Sequence, residues 1–219
     1  MFSAYLKAFG QLSDPRIRSV IWKSVLATLA IYAVLITAVS WGLTATSVFD
    51  IGWLETAGDV FGGLAAVIIA LILFPGVVSG FVSVLLEDVA DAVEAKHYPG
   101  LEPPLAMGWG TLATTSGRLI LLTIVLNILA LPLYFIPVVN IVVYYLLNGA
   151  LLGREYFEVA ALRRMRAKEA AALRRRHRTG VIAMGGATAF LLTIPIVNMI
   201  APVLGAAAMV HFFHRLRGA

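Results

Sequence analysis

The residues best suited to chemistry in this 219-residue chain are arginines at the start of a helix. Ser13-Asp14-Pro15 is a helix-start signal, a capping acid followed by proline at the first helical position, and Arg16 and Arg18 follow it directly. A helix N-terminus exposes backbone N–H groups and its dipole favours an anion. Two guanidinium forks add fixed positive charge suited to a tetrahedral oxyanion. The simpler reading of the same arginines is a pair of anchors reaching for lipid phosphates, and Asp14 would repel an anion if its side chain pointed inward.

Other candidates are weaker. Glu87, Asp88, Asp91 and Glu94 form an acidic cluster whose simplest role is a solvated helix face. Glu87 and Asp88 could instead line a pore mouth. Asn140 and Asn198 follow two proline-containing turns, where they are expected either to cap the returning helix or to line a path. His211 and His214, three apart on a helix, could in principle bind metal, but no acid or further histidine lies near them in sequence. They read as the polar end of an apolar helix, so no metal, cofactor or catalytic residue is assigned. No glycine loop ending in Gly-Lys-Ser/Thr cradles a phosphate, and no enzyme activity is expected.

The elements that position these residues belong to a membrane protein. The hydrophobic set makes up 60% of the chain and charged residues 13%, with a mean hydropathy of +0.90. A soluble domain has roughly 45–50% and ~25%, and one this small could not bury so much apolar surface. With no cysteine, disulfides, thiolate metal sites and cysteine nucleophiles are excluded. The net charge of +5 comes from basic residues at the ends of apolar runs, which marks topology rather than a nucleic-acid footprint. The first apolar run is too long for a signal peptide's apolar region of about 7–15 residues, so none is expected.

The predicted fold is an all-α integral membrane protein with two long transmembrane helices, two re-entrant helical hairpins and a charged cytoplasmic helix. Residues 1–18 give an interfacial helix and loop, with Phe2, Tyr5, Leu6 and Phe9 on one face lying on the membrane surface. Residues 19–98 hold the two spans, about Val20–Ala45 and Val60–Leu86, the second running into an amphipathic extension. Residues 105–162 form the first hairpin. Between Arg118 and Arg154 there is no charge, yet the stretch would be about 50 Å as one helix, and Pro132 and Pro137 break it. Residues 163–178 are the basic cytoplasmic segment, part of a helix-forming run from Glu158 to Arg178. Residues 179–215 repeat the hairpin, with Pro195 and Pro202 inside and a matching tip: Ile136-Pro137-Val138-Val139-Asn140 against Ile194-Pro195-Ile196-Val197-Asn198. The pairs Gly58/Gly62, Gly76/Gly80 and Gly149/Gly153 signal close helix packing and self-association. Arg16 and Arg18, the basic residues from Arg163 to Arg178, and Arg215 and Arg217 can all lie on one side while the link between the spans holds only acids, which places both termini in the cytoplasm.

The ordered set of motifs resembles the CysZ-type sulfate permease family of bacterial inner membranes. It comprises Leu12-Ser13-Asp14-Pro15-Arg16-Ile17-Arg18, Leu86-Glu87-Asp88, Tyr134-Phe135-Ile136-Pro137, and the run from Thr193 to Pro202. The resemblance covers nearly the whole chain. It implies two spanning helices with two partly penetrating hairpins, a homo-oligomer in the lipid bilayer, and channel-like sulfate uptake feeding cysteine biosynthesis. It also implies sulfate binding at Arg16, Ile17 and Arg18 through backbone amides and arginine. Arg16 stands where the family has glycine, and Ser19 where a second arginine is common. The alternative from another class is an integral membrane scaffold whose basic helix docks lipid or a partner without transport.

Overall fold

The computed structural model describes residues 2–44, 85–105, 109–195 and 197–218, and every regular element among them is helical. The helices are α1 (Phe2–Gly10), α2 (Pro15–Thr44), α3 (85–97), α4 (Trp109–Ala130), α5 (Val139–Leu162), α6 (Ala167–Arg176), α7 (Arg178–Leu192) and α8 (Ala201–Arg217). The second predicted span, up to residue 84, and the pairs Gly58/Gly62 and Gly76/Gly80 lie outside the described residues. The chain forms two compact units, residues 21–85 and the remainder.

In the first of these, the described part is the long run of α2. It is apolar all round, with Trp22, Leu26, Val34, Ile36 and Trp41 exposed. Thr37 hides its hydroxyl by donating to the Ala33 carbonyl one turn back, 2.8 Å away, the usual way a helix carries threonine through an apolar medium.

The larger unit is built around α5, α7 and α8, which pack on one another. α5 contributes Leu151, Tyr156, Phe157, Ala160 and Ala161 to the core, α7 contributes Val181, Met184 and Ala189, and α8 is buried from Val203 to His214. The α5–α7 contact is backbone on backbone. A Cβ on Gly149 would lie 2.9 Å from the Ile182 carbonyl, and one on Gly185 would strike the Gly149 carbonyl and the Gly153 backbone. The Gly149/Gly153 pair thus makes the close helix packing that its spacing signals, between α5 and α7.

Both proline tips are turns between packed helices. Pro132 enters a 3₁₀ turn over Leu131–Phe135 that ends α4, because proline lacks the donor a continuing helix needs. The Val139 N–H then bonds the Pro137 carbonyl at 2.8 Å, closing a γ-turn about Val138, which takes φ 68°. That conformation is costly for a β-branched side chain. At the second tip a 3₁₀ turn over Val197–Met199 precedes α8, and Pro202 sits in its first turn, starting the helix rather than breaking it. The repeat survives in one shared backbone bond: Asn140 N–H to Ile136 O at 3.1 Å and Asn198 N–H to Ile194 O at 2.8 Å. Of the two helix pairs, α4 with its 3₁₀ turn supplies, by length and composition, a stretch long and apolar enough to cross a membrane, Gly117–Phe135.

Three local expectations change. α1 turns Ala4 and Ala8 onto α8 and leaves Phe2, Leu6 and Phe9 exposed, but Tyr5 leaves that apolar face. Its hydroxyl donates to the Met184 carbonyl at 2.8 Å and lies 2.7 Å from Thr188 Oγ1. The run from Glu158 to Arg178 is not one helix. α5 stops at Leu162, and α6 restarts after Arg166, whose N–H donates to the Glu169 carboxylate at 3.1 Å. Finally, neither asparagine caps a helix through its side chain. The residues before α5 and α8 are Val138 and Ile200, neither with a side-chain cap.

Candidate functional site

At the start of α2, Asp14 is the cap its sequence position predicts. One carboxylate oxygen accepts the Arg16 N–H at 2.9 Å, the other pairs with Lys96 at 2.9 Å, and the Asp14 carbonyl accepts the Arg18 N–H at 2.9 Å. The Lys96 ammonium, followed by the Arg16 amide, holds the Asp14 carboxyl below its ordinary range.

The Arg16 and Arg18 side chains are exposed, whereas Ile17 between them is 1% exposed and packs inward. Two positions apart on a helix means about 200° apart around its axis, so the two guanidinium groups flank the buried Ile17 edge rather than converging. Ile17 thus fixes the turn by packing. The Arg16 amide, a candidate anion donor by sequence, already serves Asp14.

The four polar candidates fall at two separate ends. Asn140 and Asn198 sit at the proline tips. Glu87 and Asp88 lie on α3, which docks where α5 ends, and α5 is about 36 Å long. Glu87 is exposed and Asp88 partly so. Asn198 is exposed, and the buried Oδ1 of Asn140 has no partner among the described residues.

The acidic cluster is only partly the solvated face that its spacing suggests. Leu86, Val89, Ala90 and Val93 are buried, but so is Glu94. Its carboxylate accepts Arg164 Nε at 2.9 Å and lies 3.0 Å from His214 Nε2 and 3.4 Å from Arg163 Nη2, with a further bond from Arg164 Nη2. Arg163 also pairs with Asp91, and Arg164 bonds the Glu102 carbonyl. Burial pushes the Glu94 carboxyl up. The bonds from His214 and Arg164, with the charges of Arg164 and Arg163, outweigh that and bring it to about 2. A carboxylate facing His214 Nε2 makes that nitrogen the donor.

Tyr98 completes this corner. Its ring stacks on His214 at 4.1 Å and its hydroxyl lies 3.0 Å from His211 Nδ1. Both histidines are therefore engaged inside the fold, not left as a polar helix end. Among the described residues no group of three or more His, Cys, Asp or Glu is placed to hold a metal ion. Sequence reasoning missed the corner because Glu94's partners lie 69 to 120 residues away. The available signal was Arg163-Arg164, two adjacent charges directly after the apolar last turn of α5.

A family model described as Sulfate transporter CysZ/Etoposide-induced protein 2.4 matches residues 4–202. No curated protein matches the chain significantly. With nearly its whole length matched, the chain belongs to the Sulfate transporter CysZ/Etoposide-induced protein 2.4 family.

Proposed function

We propose that the protein is a channel-like sulfate permease of a bacterial inner membrane, multi-pass and homo-oligomeric, with both termini cytoplasmic, taking up sulfate for cysteine biosynthesis without catalysing a reaction. The observation that carries this reading is the family match over residues 4–202. No acid or histidine occurs between Ser24 and Phe49 or between Leu119 and Gly153, and proton-coupled carriers place such groups in the membrane. A passive path suits that composition better.

The charge-free parts of α5 and α7 are short for a span, as arms that dip and return would be, whereas α4 with its 3₁₀ turn is long enough to cross. From Asn140 to Gly153 α5 rises about 20 Å, as does α7 from Thr179 to Leu192, at 1.5 Å per residue. A bilayer core is about 30 Å thick. The charged corner at Arg163, Arg164 and His214 would then face the cytoplasm, with Asn140 and Asn198 at the deep tips as polar path residues and Glu87 and Asp88 near the cytoplasmic mouth.

Sulfate is captured at the α2 start. With Ile17 as the anchor and the Arg16 amide engaged by Asp14, the exposed forks of Arg18 and Arg16 supply the attraction. The test is radiolabelled sulfate uptake into proteoliposomes holding the wild type or Arg18→Ala, beside empty liposomes. Saturable uptake, with affinity about tenfold weaker in the variant for the loss of one charge-assisted contact, is the expected result. Unchanged affinity removes the site. Uptake equal to empty liposomes, with or without a proton gradient, favours the scaffold reading.

A further inference from the structure

The end of α5 carries a second concentration of arginine. Arg154 and Glu158, one turn apart, bond at 2.8 Å, and Arg174 Nε lies 3.9 Å from the same Glu158 oxygen. All three side chains are largely buried, with 11%, 15% and 25% exposure. At 3.9 Å the Arg174 contact is an ion pair but not a hydrogen bond, and Arg174 Nε is a buried donor with no partner among the described residues. A buried unpaired donor is costly.

The surroundings make it costlier still. Burial, and after Glu158's opposing pull the charges of Arg154, Arg175 and Arg178, hold Arg174 below the ordinary arginine range. Two guanidinium groups, those of Arg154 and Arg174, thus share one close carboxylate. The other nearby acid, Glu155, is pushed up by burial and by Glu158's charge, toward its neutral form.

We propose that Arg154 and Arg174 form a second oxyanion site, in which a tetrahedral anion completes the unfilled coordination of Arg174 beside Glu158. Bidentate guanidinium geometry suits sulfate and a phospholipid phosphate alike. The site rests on the permease reading only for the identity of the soluble ion. It is separate from Arg16 and Arg18.

The experiment places a protein carrying both Arg16→Ala and Arg18→Ala in nanodiscs, so that neither fork of the α2 site contributes, and adds Arg174→Gln, Arg174→Lys or Glu158→Gln. In phosphatidylcholine discs, radiolabelled sulfate binding is measured. In discs of equal phosphatidylcholine and phosphatidylglycerol without sulfate, thermal stabilisation over pure phosphatidylcholine is measured. Removing the Arg174 fork is expected to weaken sulfate binding about ten- to a hundredfold, with lysine restoring only part, while Glu158 keeps Arg154 and the fold stands. Glu158→Gln removes the competing carboxylate and is expected to tighten binding severalfold, a change of sign that a merely structural role would not produce. Stabilisation by phosphatidylglycerol that Arg174→Gln abolishes, without sulfate binding, assigns the site to lipid phosphate. If neither ligand distinguishes Arg174→Gln from its parent, or if Glu158→Gln weakens binding, the site is overturned. Because binding is read rather than flux, a protein that fails to transport sulfate would remove the permease reading and leave this one standing.

Discussion

Glu94→Gln removes one charge from the corner joining α3, the α5–α6 junction and α8 while keeping the side chain's size. The wild-type carboxyl falls from an ordinary 4.5 to about 2 despite its burial. At 1.36 kcal/mol per pKa step, that depression is worth roughly 3 kcal/mol at neutral pH. The figure agrees with the roughly 3–5 kcal/mol lost when one partner of a buried pair is removed. A depressed carboxyl contributes stability that is fully present above its unfolded value and is lost as pH falls through the folded one. The gap between wild type and Glu94→Gln is therefore constant from pH 7 to about 5, shrinks to roughly two-fifths by pH 3, and closes near pH 1. The assay is thermal unfolding of both purified proteins across that range. At neutral pH a Tm difference of about 6–12 °C is expected, taking roughly 2–4 °C per kcal/mol for this chain length. A gap that keeps its size at pH 3, or a variant as stable as wild type at pH 7, would refute the reasoning.

Three further changes probe separate parts of the molecule. Gly185→Ala pushes a methyl group into the backbone of α5 at Gly149 and Gly153. It should cost about 1–3 kcal/mol by overpacking, read as a lower melting temperature, and a neutral result would mean that the helices are not in backbone contact there. Val138→Gly relieves a left-handed β-branched residue at the first tip and should raise stability by about 1 kcal/mol; a loss would show that the γ-turn is not strained. Asp14→Ala removes the α2 cap, costing about 1 kcal/mol, yet frees the Arg16 amide and Lys96. Sulfate binding at that turn should tighten, and weakened binding would show that Asp14 helps rather than competes.

Much of the fold is legible in the sequence wherever its cause is local. Proline removes a donor wherever it stands, so both tips were readable from Pro132, Pro137 and Pro195. The α2 start was readable from Asp14-Pro15, since capping depends only on neighbours in the chain. The break after Leu162 was not. Ala, Arg, Leu and Glu all favour helix over Glu158–Arg178, and the interruption arises because Arg163 and Arg164 turn toward Asp91, Glu94 and the Glu102 carbonyl. A tertiary ion pair there overrides propensity. Tyr5 shows the same limit. Its spacing groups it with Phe2, Leu6 and Phe9, but its hydroxyl needs a partner once α1 docks on α8, and Met184 and Thr188 supply one.

The candidate site was legible in residue type but not in direction. The same sequence step that places arginines at the α2 start places Asp14 where it occupies the amide an anion would use, and helix geometry then sets Arg16 and Arg18 on either side of a buried Ile17. For acids the error runs the other way. A helix face is assigned by what its own residues look like, and Glu94 resembles Glu87 and Asp91 in type. What separates it is that two arginines and a histidine from distant segments close over it, so its charge is bound inside the fold while its neighbours stay at the surface. Charge in an apolar chain is therefore informative chiefly through its partners. By the same logic Arg174, whose neighbours are mostly other arginines and whose Nε has no acceptor among the described residues, has the stronger reason to hold an anion from outside.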